Sequence, residues 1–453
     1  MGAQKSVVRL PSCRFIGAVP VAGDFDYWFA RIRRLGLKPV ALGNCLIAAD
    51  TTIKPLVSND SCLTFVLDPR SGAREGCRSS SLESLARHSD DVAFIRLDQR
   101  RRSVRLFRAW TGVTPLYFTV IRGTVIFSTR LAPLLAYQPA SRSVRTVQPG
   151  AVHDISQSTS SQRRLSAQDI VRSMRVPKDH GSLVRLVRRI VVASVDRFAA
   201  DRAIVLLSGG VDSTIVAYLL KRRVQHLEAI VVSIDPAPSA DSTSDLHMAR
   251  RAASWLGVRL HEVALTPSDA TRIVPEVIRL SETRRASIVD ELAGMYFLAR
   301  RVRSLGYRCA YTGEGPDDIF GGLEFQLRFT PLRRVHAAMR RSFEEDLPAE
   351  LAAQQKVFSD AAGVTLIHPF LYRPLVRMAF NLSPRQLVDR QRRMKLLFRQ
   401  AFADEIPMEF IWRDKAITRV ASGLKGVQEA HFGARPARYY GLYKEWRNSL
   451  TAR

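Results

Sequence analysis

The stretch Ala203-Ile-Val-Leu-Leu-Ser-Gly-Gly-Val-Asp-Ser-Thr214 decides the reading of this chain. Its apolar run at 203–207 reads as a buried strand. After the turn, Val211, Ile215, Val216, Leu219 and Leu220 recur at helical spacing, so the Ser/Gly segment sits where strand passes into helix. A turn of this kind is built for phosphate. Ser208, Gly209, Gly210, Ser213 and Thr214 can aim backbone amides and hydroxyls at a pyrophosphate. The glycines let the chain pass close to it, and the positive end of the helix favours the anion. Asp212 adds a hard oxygen ligand suited to magnesium.

Working outward, the chain from about residue 180 alternates strand and helix. Strands are expected at 203–207, 228–234, 258–263 and 307–312, with helices from 211, at 245–256 and across 267–304. Such alternation predicts a parallel, doubly wound α/β sheet, whose ligand lies beyond the carboxyl ends of the strands. Three chemically loaded turns fall there: Ser208 to Ser213, Ser233-Ile-Asp235, and Thr312-Gly-Glu-Gly-Pro-Asp-Asp318. In the last of these, Gly313 and Gly315 allow a flat ligand or a phosphate near the backbone. Asp317 is placed to complete a magnesium site with Asp212, whereas Asp318 reads as a helix N-cap.

Residues 1–155 read differently. Short apolar runs at 93–97, 104–107, 116–121 and 124–128 alternate with polar turns, which predicts stacked sheets in an α+β domain. The Ser-, Gln- and Arg-rich segment within 156–180 has linker composition, leaving 181–453 as the second domain.

With 453 residues, 46% of them hydrophobic, the chain can bury two cores. No apolar run approaches the roughly 20 residues of a membrane span, and the N-terminus lacks the apolar core of a secretory signal. The five cysteines are scattered without CxxC spacing, which predicts neither a disulfide framework nor a zinc site. Cytoplasmic location is the expectation. The net charge of +27 is carried by arginines spread along the whole chain, which reads as a solvated surface and not as a nucleic-acid groove.

The Ser208 turn resembles the pyrophosphate loop of ATP pyrophosphatases, which adenylate a substrate by cleaving ATP between its α and β phosphates. Thr312-Gly-Glu-Gly-Pro-Asp-Asp-Ile-Phe-Gly-Gly322 narrows the resemblance to asparagine synthetases and their relatives. His368 to Val376, Met394 to Arg399 and Ile411-Trp-Arg-Asp-Lys415 are similar to further segments of that family, in the same order. Thr111 to Phe118 and Ser128 to Leu135 resemble its N-terminal landmarks, so the likeness runs from about residue 90 to 420. It implies ATP and magnesium as cofactors. Ser208, Gly209, Gly210, Asp212 and Ser213 would hold the pyrophosphate, and Asp212 with Asp317 the metal. The backbone near Ser233 and Gly313 would meet the nucleotide, and Lys395 and Lys415 would lie beside the phosphates.

Two departures shape the expected chemistry. Glutamine-dependent members expose a cysteine after Met1 is removed, whereas this chain begins Met1-Gly2-Ala3. The first domain is therefore expected to resemble an N-terminal-nucleophile amidohydrolase without its nucleophile, and no glutaminase activity is expected. Ala416 to Gly423 is also unlike the aspartate-binding segment of asparagine synthetases. Two branches lacking the glutaminase, β-lactam synthetases and lasso-peptide macrolactam cyclases, join an internal amine to an internal carboxylate. Glu314 stands where the former carry a tyrosine, and it joins Lys395 and Lys415 as an expected catalytic residue. The resemblance favours the lasso cyclase, acting on a precursor peptide with a leader-processing protease and a leader-binding protein as partners. A small-molecule amide synthetase, a glutamine-independent asparagine synthetase relative, a tRNA-modifying pyrophosphatase and a noncatalytic scaffold are the competing readings.

Overall fold

The structure is a computed structural model of residues 1–453. It describes 93–98, 103–121, 124–137, 143–156, 160–164, 174–235, 244–323, 331–389, 393–413 and 422–451, together with the backbone of the strands at 8–10, 15–20, 38–42, 45–49, 57–59 and 62–67. The chain divides into two compact units, Met1–Ala167 with Leu442–Arg453, and Gln168–Gly441.

The first unit contains, among the described residues, a seven-stranded and a six-stranded sheet. Antiparallel pairing dominates both, as in Ala93–Asp98 with Ser103–Arg108 and Tyr117–Ile121 with Thr124–Ser128. Leu106, Phe118 and Phe127 are fully buried among these strands, where alternating or continuous apolar runs face a core. The segment expected as a linker over 156–180 instead contains the strand Ser160–Arg164, paired antiparallel with Ala151–Ile155. Its polar composition suits an exposed strand at the end of a sheet as well as it suits a linker: Ser160, Ser161 and Gln162 are exposed. The terminal segment from Leu442, expected to belong to the second domain, groups with the first unit.

The second unit is built on a five-stranded parallel sheet in the order Arg259–Leu265, His226–Ile234, Arg202–Leu206, Cys309–Tyr311, Thr365–Ile367. The first strand of the unit lies in the middle, so successive connections leave it in opposite directions. A crevice opens where they part, at the carboxyl ends of Arg202–Leu206 and Cys309–Tyr311. Ile204, Val205, Ala229, Ile230 and Ala310 are completely buried, as strands covered on both faces require. The helix Asp245–Leu256 starts at Ser244, whose hydroxyl accepts from the His247 amide at 3.3 Å, and stops at Gly257 in a left-handed conformation (φ 60°). Thr266 and Asp269 form a reciprocal capping box that opens Pro267–Arg272. No helix among the described residues is long and apolar enough to cross a membrane.

Candidate active site

The turn after Arg202–Leu206 closes on itself through hydroxyls. The Ser208 amide donates to Ser213 Oγ at 3.2 Å, the Gly210 amide to Ser208 Oγ at 3.3 Å, and the Ser213 hydroxyl to the Gly210 carbonyl at 3.3 Å. Gly209 has φ 69°, and a Cβ there would stand 2.5 Å from the Met248 carbonyl carbon, so only glycine fits. Gly210 caps the helix Val211–Lys221 without a side chain, which leaves the first-turn amides for an outside acceptor.

The turn after Cys309–Tyr311 meets this loop edge to edge. A Cβ on Gly313 would lie 2.7 Å from the Ser213 nitrogen and 2.9 Å from the Asp212 carbonyl carbon, so a side chain there would cover the amide that a phosphate needs. Thr312 holds the turn by bonding His368 Nδ1 at 2.8 Å. Asp318 is not the N-cap expected from the sequence: Gly315 caps Pro316–Ile319, and Asp318, inside that turn and buried, accepts from the Ser342 hydroxyl at 2.5 Å.

Lys395 links the two turns. Its ammonium pairs with Asp212 Oδ2 and lies 2.8 Å from Asp317 Oδ1, with the lysine only 2% exposed. The residue has φ 58°, a left-handed conformation that costs a non-glycine residue about 1 kcal/mol and marks a position held by its surroundings. Burial pushes the Asp212 carboxyl above the ordinary range, the Lys395 ammonium opposes that shift, and the Asp317 carboxylate adds to it. Asp212 Oδ1 is buried without a hydrogen-bond partner. An orphaned carboxylate oxygen beside a second carboxylate is a donor set that fits magnesium.

Two arginines that the sequence reading passed over hold the outer wall. Arg413 donates to the Ser208 carbonyl at 3.0 Å and to Asp245 Oδ1 at 3.2 Å. Burial drives Asp245 up to about 6, against the pull of Arg413. Arg399 bonds the Ile411 carbonyl and, at 3.0 Å, the Arg413 carbonyl, while the Arg393 guanidinium lies 5.0 Å above the Trp412 ring. These contacts fix the backbone up to Arg413. Lys415 itself lies outside the described residues. The signal for Arg413 was its place in Trp412-Arg413-Asp414-Lys415, but its partner Asp245 is 168 residues away and only the fold brings it near.

All of this opens into one cleft of about 650 Å³. Ser208, Gly210, Asp212, Ser213, Gly313, Glu314, Asp317 and Lys395 line its phosphate end. Ile230, Val231 and Val232 form a side wall, with Ser233 buried one position further along the strand. Arg285, Glu291, Asp346 and Glu350, carried on or beside helices, also line the cleft, with Met295 and Leu298. Burial pushes Glu314 up to about 8, and the carboxylates of Glu350, Asp317, Asp318 and Asp212 reinforce it.

The asparagine synthase family model matches residues 186–356 and 328–431. Asparagine synthetase [glutamine-hydrolyzing] 3 of Arabidopsis thaliana is 27% identical over 342 residues, covering 71% of this chain and 57% of that protein. Asparagine synthetase B [glutamine-hydrolyzing] of Escherichia coli is 27% identical over 226 residues, covering 47% of this chain and 40% of that protein. The chain thus spans between two fifths and three fifths of the length of these relatives. Among solved structures, NMN synthetase from Francisella tularensis is similar at TM-score 0.25 and 13% identity over 59% of this chain and 93% of that chain. The family match covers more than half of the chain and spans both turns of the cleft as well as Lys395 and Arg413, and the chain belongs to the asparagine synthase family.

Proposed function

We propose that the protein is an ATP-dependent carbon–nitrogen ligase that adenylates a carboxylate, releases pyrophosphate, and passes the acyl group to an amine with release of AMP. The observation that carries this reading is the meeting, in one cleft, of the Ser208 turn, a helix start without a side-chain cap, and the Asp212, Lys395 and Asp317 cluster. In the first step a substrate carboxylate oxygen attacks the α-phosphorus and the bond to the bridging oxygen of the β-phosphate breaks. The turn amides, the helix N-terminus and a lysine ammonium oppose the charge that gathers on the departing pyrophosphate. Asp212 and Asp317 would hold magnesium, which would neutralise phosphate charge in the same place.

In the second step the amine attacks the acyl carbon and must lose a proton. Glu314, with its carboxyl near 8, has a proton affinity matched to that task. The acidic side chains Glu291 and Glu350 in the lining suit an incoming ammonium group, which becomes the nucleophile once deprotonated. In the finer form of the proposal, the carboxylate is an Asp or Glu side chain of a precursor peptide and the amine is that peptide's own N-terminus. The product is then a macrolactam, and a leader-processing protease and a leader-binding protein supply the substrate. The absence of a tyrosine at Glu314 favours this branch.

A second reading rests on cleft size. About 650 Å³ lies within the ordinary range of small-molecule pockets, roughly 300–1,000 Å³, and suits a small amide synthetase. Product analysis separates the readings. AMP and pyrophosphate formed only with a precursor peptide, together with a peptide lighter by one water, support the cyclase. AMP formation with small amino-carboxylates alone supports the second reading, and ADP with inorganic phosphate overturns both.

A further inference from the structure

The Lys395 ammonium occupies the gap between the Asp212 and Asp317 carboxylates. A lysine reserved for nucleotide phosphate needs no such placement. Three features of the chain build it. Lys395 takes a left-handed backbone conformation at the start of Leu396–Gln400. Its side chain is 3% exposed, so the charge is withdrawn from solvent and matched by the two carboxylates. The aliphatic part of the side chain passes over Gly322, where a Cβ would stand 2.1 Å from Lys395 Cε and 2.3 Å from Asp317 Oδ1. The glycine opens the passage for the lysine.

We propose that Lys395 is the resident counter-ion of the Asp212–Asp317 pair, with Gly322 as the positioning residue that admits it, so that a divalent cation enters only by displacing the ammonium. The inference rests on the assignment of these two carboxylates as the metal ligands. A divalent ion held by both carboxylates, even through the Asp212 Oδ1 that the lysine leaves unpartnered, would lie within a few ångström of the ammonium and be strongly repelled by it. The ammonium therefore competes with free metal. Nucleotide phosphate resolves the competition, since it ligates the metal and offers the displaced lysine a new anionic partner. Metal and nucleotide then bind as a unit, with the lysine delivered to the phosphates by the same exchange.

The test is a titration of the full chain with manganous chloride, followed by the paramagnetic resonance of the free ion, with and without a nonhydrolysable ATP analogue. Wild type is expected to bind manganese weakly alone and at least about tenfold more tightly with the nucleotide. Lys395→Met and Lys395→Gln are expected to bind manganese alone about tenfold or more tightly than wild type, the scale on which one neighbouring charge alters cation affinity at a carboxylate. Two replacements of similar length guard against one misfolded variant, and the wild-type titration stands without either. Tight stoichiometric binding to nucleotide-free wild type, abolished by Asp212→Asn, overturns the counter-ion role and leaves the ligand assignment intact. Manganese binding that survives Asp212→Asn and Asp317→Asn in every form overturns both.

Discussion

The cleft is lined by two kinds of material. Around the phosphate end much of it is backbone: amides of the Ser208 turn, glycines at 209, 313 and 322 whose missing side chains admit other groups, and the start of Val211–Lys221, beside the Asp212, Asp317 and Lys395 side chains. Elsewhere side chains on or beside helices line it, with Arg285 paired to Asp346 at 2.7 Å and Gln354 donating to Glu291 at 3.1 Å. Backbone groups present the same donors whatever the neighbouring side chains are, and glycine is the residue least open to replacement. A phosphate site built this way can be shared widely while the reactive partner changes. Side chains on helices can be exchanged singly without loss of the fold. In the proposed reaction the adenylating chemistry belongs to the backbone-built turns and the choice of substrate to the helix-borne side chains.

If that division is right, the largest loss comes from the phosphate end. Asp212→Asn or Asp317→Asn is expected to lower turnover by about a thousandfold or more, since each removes a charge that positions metal and lysine together. The apo melting temperature should move by no more than about a few degrees, because neither carboxylate supports a hydrophobic core. Pyrophosphate release under saturating substrate is the measurement. Wild-type turnover in either variant breaks the assignment.

Lys415 is the next test in size. If its ammonium meets charge that develops at the α-phosphate, Lys415→Met should lower single-turnover adenylation by about a hundredfold, roughly 3 kcal/mol of barrier, with nucleotide affinity within a few-fold of wild type. Equal losses in binding and rate would make it a ground-state contact instead.

How far the sequence could be read follows the same line. The Ser208 turn, its flanking strand and its helix were legible because an apolar run, a glycine pair and helical periodicity are adjacent in the chain. The strands at 202–206, 226–234 and 259–265 lie within a few residues of their expected positions for that reason. Thr365–Ile367 was missed, since three residues carry no periodicity. So was the buried pair of Lys356 with Glu282 at 2.5 Å, which joins the helix Leu347–Ala362 to the end of Val274–Ser281. A lysine in a helix reads as surface until its partner, 74 residues away, is seen beside it. The helix-borne lining of the cleft was illegible for the same cause: Arg285, Glu291, Asp346 and Glu350 belong to no motif and come together only in the fold.

Substitution among these side chains should separate binding from chemistry. Arg285→Ala is expected to raise the KM of the acyl substrate by about tenfold while leaving the KM of ATP unchanged, since the guanidinium lines the cleft but belongs to neither of its two glycine-bearing turns. Its pair with Asp346 is substantially exposed, 45% and 34% for the two side chains, so loss of stability should stay below about 1 kcal/mol. A variant impaired equally for both substrates would erase the distinction between the two kinds of lining.

The smallest expected effect concerns Glu314, which lies in the Thr312–Asp318 turn and feels the Glu350 carboxylate. In the folded protein burial and the neighbouring carboxylates hold its carboxyl protonated up to about 8, whereas its ordinary value is 4.5. The folded state therefore binds an extra proton between these limits, and stability falls as pH rises through that window and levels off above it. Glu314→Gln carries no such proton, so its melting temperature should decline less than that of wild type between these pH values. As the acceptor of the amine proton, Glu314 must be ionised to act. Wild-type kcat/KM should then rise with pH to a plateau above about 8, and Glu314→Gln should lose that inflection and several-fold of the plateau rate. The amine supplies its own titration, so the comparison must be made with an amine of lower basicity as well as the natural one. An inflection that follows the amine and survives in Glu314→Gln assigns the proton to the substrate. One that stays near 8 across amines and vanishes in the variant assigns it to Glu314, and with it the boundary at which the shared phosphate site gives way to the substrate-specific one.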